Sequence, residues 1–213
     1  MATRQTEAII LRTYPLKEAD KIVSFFSRQM GKVRGVARGA RKPKSRYGAS
    51  LEPLSYVRLQ YFERENADLL SIDGCELIQS HFESQSDYDR GVALAYLAEA
   101  TEQLLPEREP QDAFFRLLVA VLEEIRKGCS IWTALTYFDL WAVRLGGYLP
   151  DFPSSVTADS RRIAAEMLRH PLGDFAAQKW EKKTAQDLRR FLGRQMEMHA
   201  ERTFKTRAML EGL

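Results

Sequence analysis

The spacing of apolar residues along the chain changes at about residue 80. Before this point, short runs rich in Val, Ile, Leu and aromatic residues are separated by Gly and Pro, which is typical of β-strands. After it, apolar residues recur at intervals of three and four, the spacing of one helix face. The sequence therefore predicts an α+β protein of two domains, with strands in residues 1–80 and helices in residues 81–213.

Five strands are predicted in the first domain. Gly31 lies between two of them, where a tight hairpin requires a positive φ angle. Five short strands in so short a domain favour a small closed barrel, either an OB-fold or an SH3-like barrel, since both have nearly the same sequence pattern. The predicted strands are Ala8–Tyr14, Lys21–Phe26, Lys32–Ala37, Leu54–Phe62 and Asp68–Leu77.

The second domain is predicted to be all-α. Its clearest helix is amphipathic and ends at Gly128, while the helix that follows is apolar on nearly all sides and is expected to be the buried central one. Ser86, Ser130 and Thr184 are predicted N-caps. The predicted helices are 86–105, Asp112–Lys127, Ser130–Leu145, Asp159–Arg169, Thr184–Ala200 and Thr203–Leu210.

Composition adds little to this fold assignment but limits the class of protein. Hydrophobic residues make up 45% of the chain and charged residues 29%, as in ordinary globular proteins. The N-terminal residues lack the apolar run of a signal peptide, and no window approaches the roughly 18 apolar residues of a membrane span. Cys75 and Cys129 lie far apart in sequence, so we expect a reduced, cytoplasmic protein.

The net charge is only +3, but the charge is unevenly distributed. Residues 1–80 contain 14 Lys and Arg against 9 Asp and Glu, so the positive excess lies in the predicted barrel. The stretch from Lys21 to Leu51 contains no acidic residue at all. Such a stretch favours a polyanionic partner, because Lys and Arg neutralise phosphates and release counterions. An acidic protein, a membrane surface or a merely solvated charged loop are the alternatives.

The candidate nucleic-acid-binding residues lie within this stretch. A strand period of two puts Lys32, Arg34 and Arg38 on one face and points the intervening residues into the barrel. The segment that follows is too polar and too rich in Gly and Pro to fold on its own, and we expect it to wrap a phosphate backbone. It contributes Arg41, Lys42, Lys44 and Arg46, with Tyr47 as a ring on which a base can stack.

Catalytic motifs are absent from the sequence. The three His residues do not form a metal-binding pair, and the two Cys residues form no CxxC motif. Glu18 and Asp20 together with Asp73 are a candidate carboxylate cluster for a metal-dependent nuclease, which needs several converging carboxylates. We expect neither enzymatic activity nor a cofactor.

Several short segments, taken together, resemble the RecO family of bacterial DNA repair proteins. The likeness covers nearly the whole chain, and it depends on the order and spacing of the segments more than on any single one. They are Glu7–Tyr14, Glu18–Val23, Gly31–Lys32, Ala37–Arg41, Leu51–Leu54, Leu145–Pro150 and Arg202–Arg207.

The resemblance implies an OB-fold followed by a helical domain in a DNA repair and recombination mediator. It also implies binding of single- and double-stranded DNA, annealing of complementary strands, and help in loading RecA onto strands coated by single-stranded-DNA-binding protein (SSB). RecR and the acidic C-terminal tail of SSB are the implied protein partners, and the implied location is the nucleoid.

One departure from the family pattern concerns zinc. Many members carry a four-cysteine insert after the segment that corresponds to Leu145–Pro150, whereas Asp151–Val156 contains no Cys. Because a structural zinc site needs four N or S ligands, we expect no bound metal.

The helical domain is the second candidate for the main binding function, as a scaffold that grips the SSB tail. Arg116, Arg126 and Lys127 lie close to the apolar face of the amphipathic helix and are candidate partners for carboxylates of that tail. The alternative is that they are ordinary exposed helix charges.

Overall fold

The computed structural model describes residues 3–63, 68–81 and 87–213. These residues form two compact units. One contains the described residues up to 81 together with Leu105–Phe115, and the other contains residues 87–104 and Arg116–Leu213. The predicted N-cap Ser86 lies outside the described residues.

The first unit is built on a closed five-stranded barrel with the strand order β1-β2-β3-β5-β4. All neighbouring strands are antiparallel except β3 and β5, which are parallel. This arrangement is that of the OB-fold, which confirms the predicted fold and sets aside the SH3-like alternative. The strands are β1 (Arg4–Leu16), β2 (Asp20–Ser27), β3 (Gly31–Ala37), β4 (Tyr56–Phe62) and β5 (Leu70–Gln79).

The barrel interior is filled by side chains that alternate along each strand. In β3, Val33 and Ala37 are buried in the core while Arg34 and Arg38 are exposed, as the strand period predicts. Gly35 also faces inward, where an added Cβ would lie 2.9 Å from the side chain of Ile72. The core also includes Ala8, Ile10, Val23, Phe25, Leu51, Val57, Leu59, Tyr61 and Leu70.

A β-bulge divides β1 into two halves. Ile10 pairs with Phe25 of β2, but Arg12 pairs with Ser24, so Leu11 is an extra residue in the ladder. Because side chains alternate, this insertion reverses the face on which the following residues lie. Arg12 and Tyr14 therefore point out of the barrel, although the alternation from Ile10 would have pointed them inward.

The Leu105–Phe115 segment packs on the outside of the barrel. The ring of Phe115 contacts those of Phe26 and Tyr56, with ring centroids 5.3 and 6.0 Å apart, and Phe114 lies 6.1 Å from Phe26. The backbone N–H of Arg108 donates a 2.9 Å hydrogen bond to the carbonyl of Lys32. Sequence periodicity assigned this segment to the helical domain and gave no sign of its contact with the barrel.

The second unit is all-helical, as predicted. Its central helix α3 is buried over most of its length, and no helix of the described residues is long and apolar enough to cross a membrane. The helices of the chain are α1 (Tyr88–Leu104), α2 (Asp112–Arg126), α3 (Ile131–Leu145), α4 (Ala158–Met167), α5 (Gln186–Ala200) and α6 (Lys205–Gly212), and α2 begins within the barrel unit.

Of the other two predicted N-caps, Ser130 is at the predicted position and Thr184 is not. Ser130 is the N-cap residue of α3, but its hydroxyl makes no capping bond and instead donates to the carbonyl of Trp180 at 3.0 Å. Helix α5 begins after Ala185, which has a φ of 51°, and Thr184 makes no capping bond. The carboxylate of Asp187 instead accepts hydrogen bonds from the backbone of Thr157 and the side chain of Ser160, so it links α5 to the start of α4.

A carboxyl group lies in the apolar core around α3. Asp139 is buried and accepts a 2.9 Å hydrogen bond from the hydroxyl of Tyr96 in α1. Burial raises the pKa of Asp139 to about 7, although the Tyr96 hydroxyl and the charges of Arg189 and Arg207 act in the opposite direction. The apolar pattern of α3 gave no sign of a titrating group.

Substitution of Gly31 by Ala should loosen the Leu105–Phe115 segment. Gly31 has a φ of 74°, and an added Cβ would lie 2.0 Å from the backbone oxygen of Glu109. We expect a loss of roughly 2–3 kcal/mol in stability and faster hydrogen exchange at the Arg108 amide. Gly48→Ala is the matched control, since Gly48 has a φ of 49° with nothing within 4 Å of an added Cβ. Equal Arg108 exchange rates in the two variants would contradict the close approach.

Asp139 should make the stability of the helical unit depend on pH. Since its pKa is raised from 3.8 to about 7, folding favours the protonated form, and stability falls as the pH rises from about 4 to about 7. Asp139→Asn should remove this component, measured as the denaturation midpoint from Trp fluorescence at each pH. Asp159→Asn, at an exposed carboxylate, is the control. Parallel wild-type and Asp139→Asn curves would refute the assignment.

Candidate nucleic-acid interface

The basic segment after β3 is fixed against one end of the barrel. The backbone N–H of Gly39 donates to the carboxylate of Asp20 at 2.8 Å, and that of Arg41 donates to the carbonyl of Ala19 at 2.9 Å. The guanidinium of Arg41 also donates to the carbonyl of Lys17 at 2.9 Å. The segment was expected to be unable to fold on its own, and these bonds show that the β1–β2 turn supplies the structure it lacks.

All four cations between positions 38 and 44 are exposed. They are Arg38, Arg41, Lys42 and Lys44, and we call them the end cations. Within the part of the chain that the structure describes, none of them forms an ion pair with a carboxylate. Glu18 is exposed in the adjoining β1–β2 turn, so the region contains one acidic side chain besides Asp20. The end cations nevertheless outnumber these carboxylates.

Other cations of the basic stretch are already neutralised within the barrel unit. Arg34 pairs with Glu107 at 3.2 Å, and Arg28 pairs with Asp112 at 2.8 Å. Both acidic residues belong to the Leu105–Phe115 segment. Arg46 pairs with Asp73 of β5 at 3.3 Å. Lys32 points outward beside Phe26, on the part of β3 to which the same segment bonds. On the predicted basic face of β3, the charge of Arg34 is therefore neutralised by Glu107, whereas Arg38 has no carboxylate partner among the described residues.

The base-stacking role expected for Tyr47 does not agree with its position. Tyr47 is only 3% exposed and belongs to the barrel core. Its hydroxyl donates to the carbonyl of Ile72 at 2.9 Å and accepts from the guanidinium of Arg46 at 3.2 Å. Burial raises the pKa of this phenol. The ring closes the barrel beneath the basic segment and offers no free face to a base.

An exposed ring that sequence analysis missed lies on β1. Tyr14 is 37% exposed, and the guanidinium of Arg12 lies 5.2 Å from its ring centroid. The bulge at Leu11 reverses the alternation of side chains in β1. Counting every second residue from Ile10 therefore places Tyr14 inside the barrel, although its ring lies outside.

The carboxylates proposed for a nuclease have separate partners. Asp20 accepts from the backbone of Gly39, whereas Asp73 pairs with Arg46. No group of three or more His, Cys, Asp or Glu side chains among residues 3–63, 68–81 and 87–213 is arranged to hold a metal ion.

In the helical unit, the predicted tail-binding cations Arg126 and Lys127 have local partners. Arg126 pairs with Glu123 at 2.7 Å within α2, and Lys127, directly after this helix, pairs with Glu124 at 3.0 Å. Arg116 is exposed on the same helix.

A surface cavity in the same unit combines apolar and cationic walls. Trp132 and Leu135 of α3 form its apolar side, and the guanidinium of Arg189 lies 5.1 Å from the Trp132 ring. The side chain of Arg190 lines the cavity and is exposed. The other lining residues are Tyr96, Asp139, Lys182, Gln186, Arg207, Leu210 and Glu211.

Comparison with known proteins identifies the family. Residues 1–81 match the family profile described as Recombination protein O N terminal, and residues 85–162 match Recombination protein O C terminal. A protein of Koribacter versatilis (strain Ellin345) named DNA repair protein RecO is 41% identical in an alignment that is 242 positions long and covers 99% of each chain.

Two further relatives carry the same name and align over a shorter region. The protein of Cutibacterium acnes is 36% identical over 162 residues, which cover 73% of this chain and 65% of the relative. That of Nocardioides sp. is 39% identical over 149 residues, which cover 68% of this chain and 60% of the relative. With its five-stranded barrel and helical unit, the chain belongs to the RecO family of DNA repair proteins.

Proposed function

We propose that this protein is a non-enzymatic recombination mediator that binds single- and double-stranded DNA and anneals complementary strands. With RecR, it helps to load RecA onto SSB-coated single strands. The observation that carries the DNA-binding part is the group of end cations, which are exposed and without carboxylate partners among the described residues. Family membership supports a role in DNA repair, and the resemblance described above supports the partners.

The end cations are suited to phosphate in any sequence. Arg38 directly follows β3, and hydrogen bonds hold the backbone and the guanidinium of Arg41 to the β1–β2 turn, so the backbone that carries these two charges is fixed before binding. Less conformational freedom is then lost on binding than for a free loop. Phosphate contacts of this kind carry no sequence information, which suits a protein that acts on any damaged DNA.

Annealing follows from the same charge. Two complementary strands repel each other through their phosphates, and cations that neutralise part of both backbones lower this repulsion. The protein needs no bond-breaking step for this function. DNA binding of this kind would place the protein on the nucleoid.

The salt dependence of binding tests the proposal. Four phosphate contacts predict a slope of about −3 for log affinity against log salt on single strands, or roughly a 50-fold loss between 50 and 200 mM. Replacing Arg38, Arg41, Lys42 and Lys44 together by Ala should flatten this slope and weaken binding to all sequences alike, measured by fluorescence anisotropy. It should also slow the annealing of SSB-coated complementary strands.

A variant with the same change in net charge provides the control. Arg162, Arg169, Lys179 and Lys183 are exposed cations of the helical unit, and their joint replacement by Ala should leave the slope nearly unchanged. Equal losses in the two variants would mean that only net charge matters. A flat salt response of the wild-type protein would contradict DNA binding by the end cations.

The second candidate function is binding of the acidic, hydrophobic-ended SSB tail by the helical unit. The cavity beside Trp132 and Leu135 favours it, because it has an apolar wall for the terminal side chain and cations for the carboxylates. Arg126 and Lys127 are paired with Glu123 and Glu124, whereas Arg190 at the cavity forms no ion pair with a carboxylate among the described residues. We therefore propose the cavity as the site of the tail and not the surface of α2.

A labelled tail peptide distinguishes these two sites. Arg190→Ala should weaken binding by about tenfold, because a charge-assisted hydrogen bond contributes roughly 1.5–3 kcal/mol. The double variant Arg126→Ala, Lys127→Ala serves as the comparison and should bind with nearly wild-type affinity. The reverse pattern would place the tail on α2.

A further inference from the structure

Rows of side chains cross the outer face of β1, β2 and β3, because residues paired across neighbouring strands point to the same side. One row contains Ile9, Phe26 and Lys32. The rings of Phe114 and Phe115 lie against Phe26, so the Leu105–Phe115 segment covers this row. The next row contains Arg12, Ser24 and Arg34.

The third row is apolar and is not fully covered. Tyr14 of β1 pairs with Ile22 of β2, and Ile22 pairs with Val36 of β3. Tyr14 is exposed, and Ile22 and Val36 are only partly buried. Among the described residues, no aromatic side chain packs on the Tyr14 ring.

Positive charge flanks this apolar row. Arg12 lies one row away and faces the Tyr14 ring at 5.2 Å. Arg38 follows β3 two positions after Val36, with the same outward direction, and it is one of the end cations. A ring and two aliphatic side chains between cations match a single strand of nucleic acid, whose bases need flat apolar contacts and whose phosphates need positive charge.

We infer that Tyr14, Ile22 and Val36 form a binding row for unpaired bases of single-stranded DNA, with a base stacked on Tyr14. This inference rests on the proposed DNA-binding function and deepens it. The end cations contact phosphates, which single strands and duplexes share, whereas the row contacts base faces, which a duplex hides. Tyr14 thereby gives the barrel a preference for single strands that charge alone does not supply.

The Arg12 side chain positions the ring for this contact. Its guanidinium lies over the ring, where attraction between the cation and the π-electrons holds Tyr14 in place. The exposed remainder of the ring is then available to a base.

Binding of three ligands tests the inference: an oligo-dT strand, an abasic strand with the same number of phosphates, and a hairpin duplex. Tyr14→Ala should weaken oligo-dT binding by about tenfold or more and change abasic-strand and duplex affinity by less than about twofold. Tyr14→Phe keeps the ring and should restore oligo-dT binding. Tyr88→Ala removes a Tyr that is 69% exposed in the helical unit and should have no effect.

The outcomes separate this inference from the function on which it rests. If the wild-type protein binds none of the three ligands, the DNA-binding proposal fails and the inference fails with it. If the wild type binds them but Tyr14→Ala weakens all three equally, or none, the stacking row is overturned while DNA binding stands. Circular dichroism of Tyr14→Ala and Tyr14→Phe establishes that both variants are folded.

Discussion

The single extra residue in β1 determines which side chains the barrel presents to its surroundings. Without the bulge at Leu11, Arg12 and Tyr14 would continue the inward series of Ala8 and Ile10 and would lie among Val23 and Phe25. A guanidinium in that core would lose its hydration without gaining a partner, which costs several kcal/mol. One strand can therefore fill the core with its first half and form a binding surface with its second half only because the ladder is interrupted once.

The Leu105–Phe115 segment divides the cations of the barrel into two groups. Its carboxylates Glu107 and Asp112 pair with Arg34 and Arg28, so positive charge in that part of the sheet is balanced. Exposed ion pairs of this kind contribute little to stability, about 0–1 kcal/mol each, but they do change the local potential. The end cations and Arg12 have no ion pair among the described residues, so the excess positive charge is confined to part of the barrel surface and does not form a continuous basic stripe.

Most of the fold follows from the sequence, because strand and helix periods are local properties. Five strands and six helices are predicted close to where they occur, and the alternation in β3 correctly separates Val33 from Arg34. The candidate site is predicted less completely. Tyr47 precedes a short helical turn and closes the core, and Tyr14 faces outward because of the bulge. Asp139 is hidden in an apolar helix pattern. Each of these positions depends on residues distant in sequence, which periodicity does not detect.

The contact between Leu105–Phe115 and the barrel affects the order in which the chain can complete its fold during synthesis. The last strand, β5, ends at Gln79, and Phe115 follows it by 36 residues, so all five strands leave the ribosome before their outer cover does. Until residue 115 has been made, the row around Phe26 has no apolar partner on its outer side. The barrel is thus finished late, by a segment that also begins α2. A chain shortened to residues 1–81 would expose this row permanently and would be prone to aggregate.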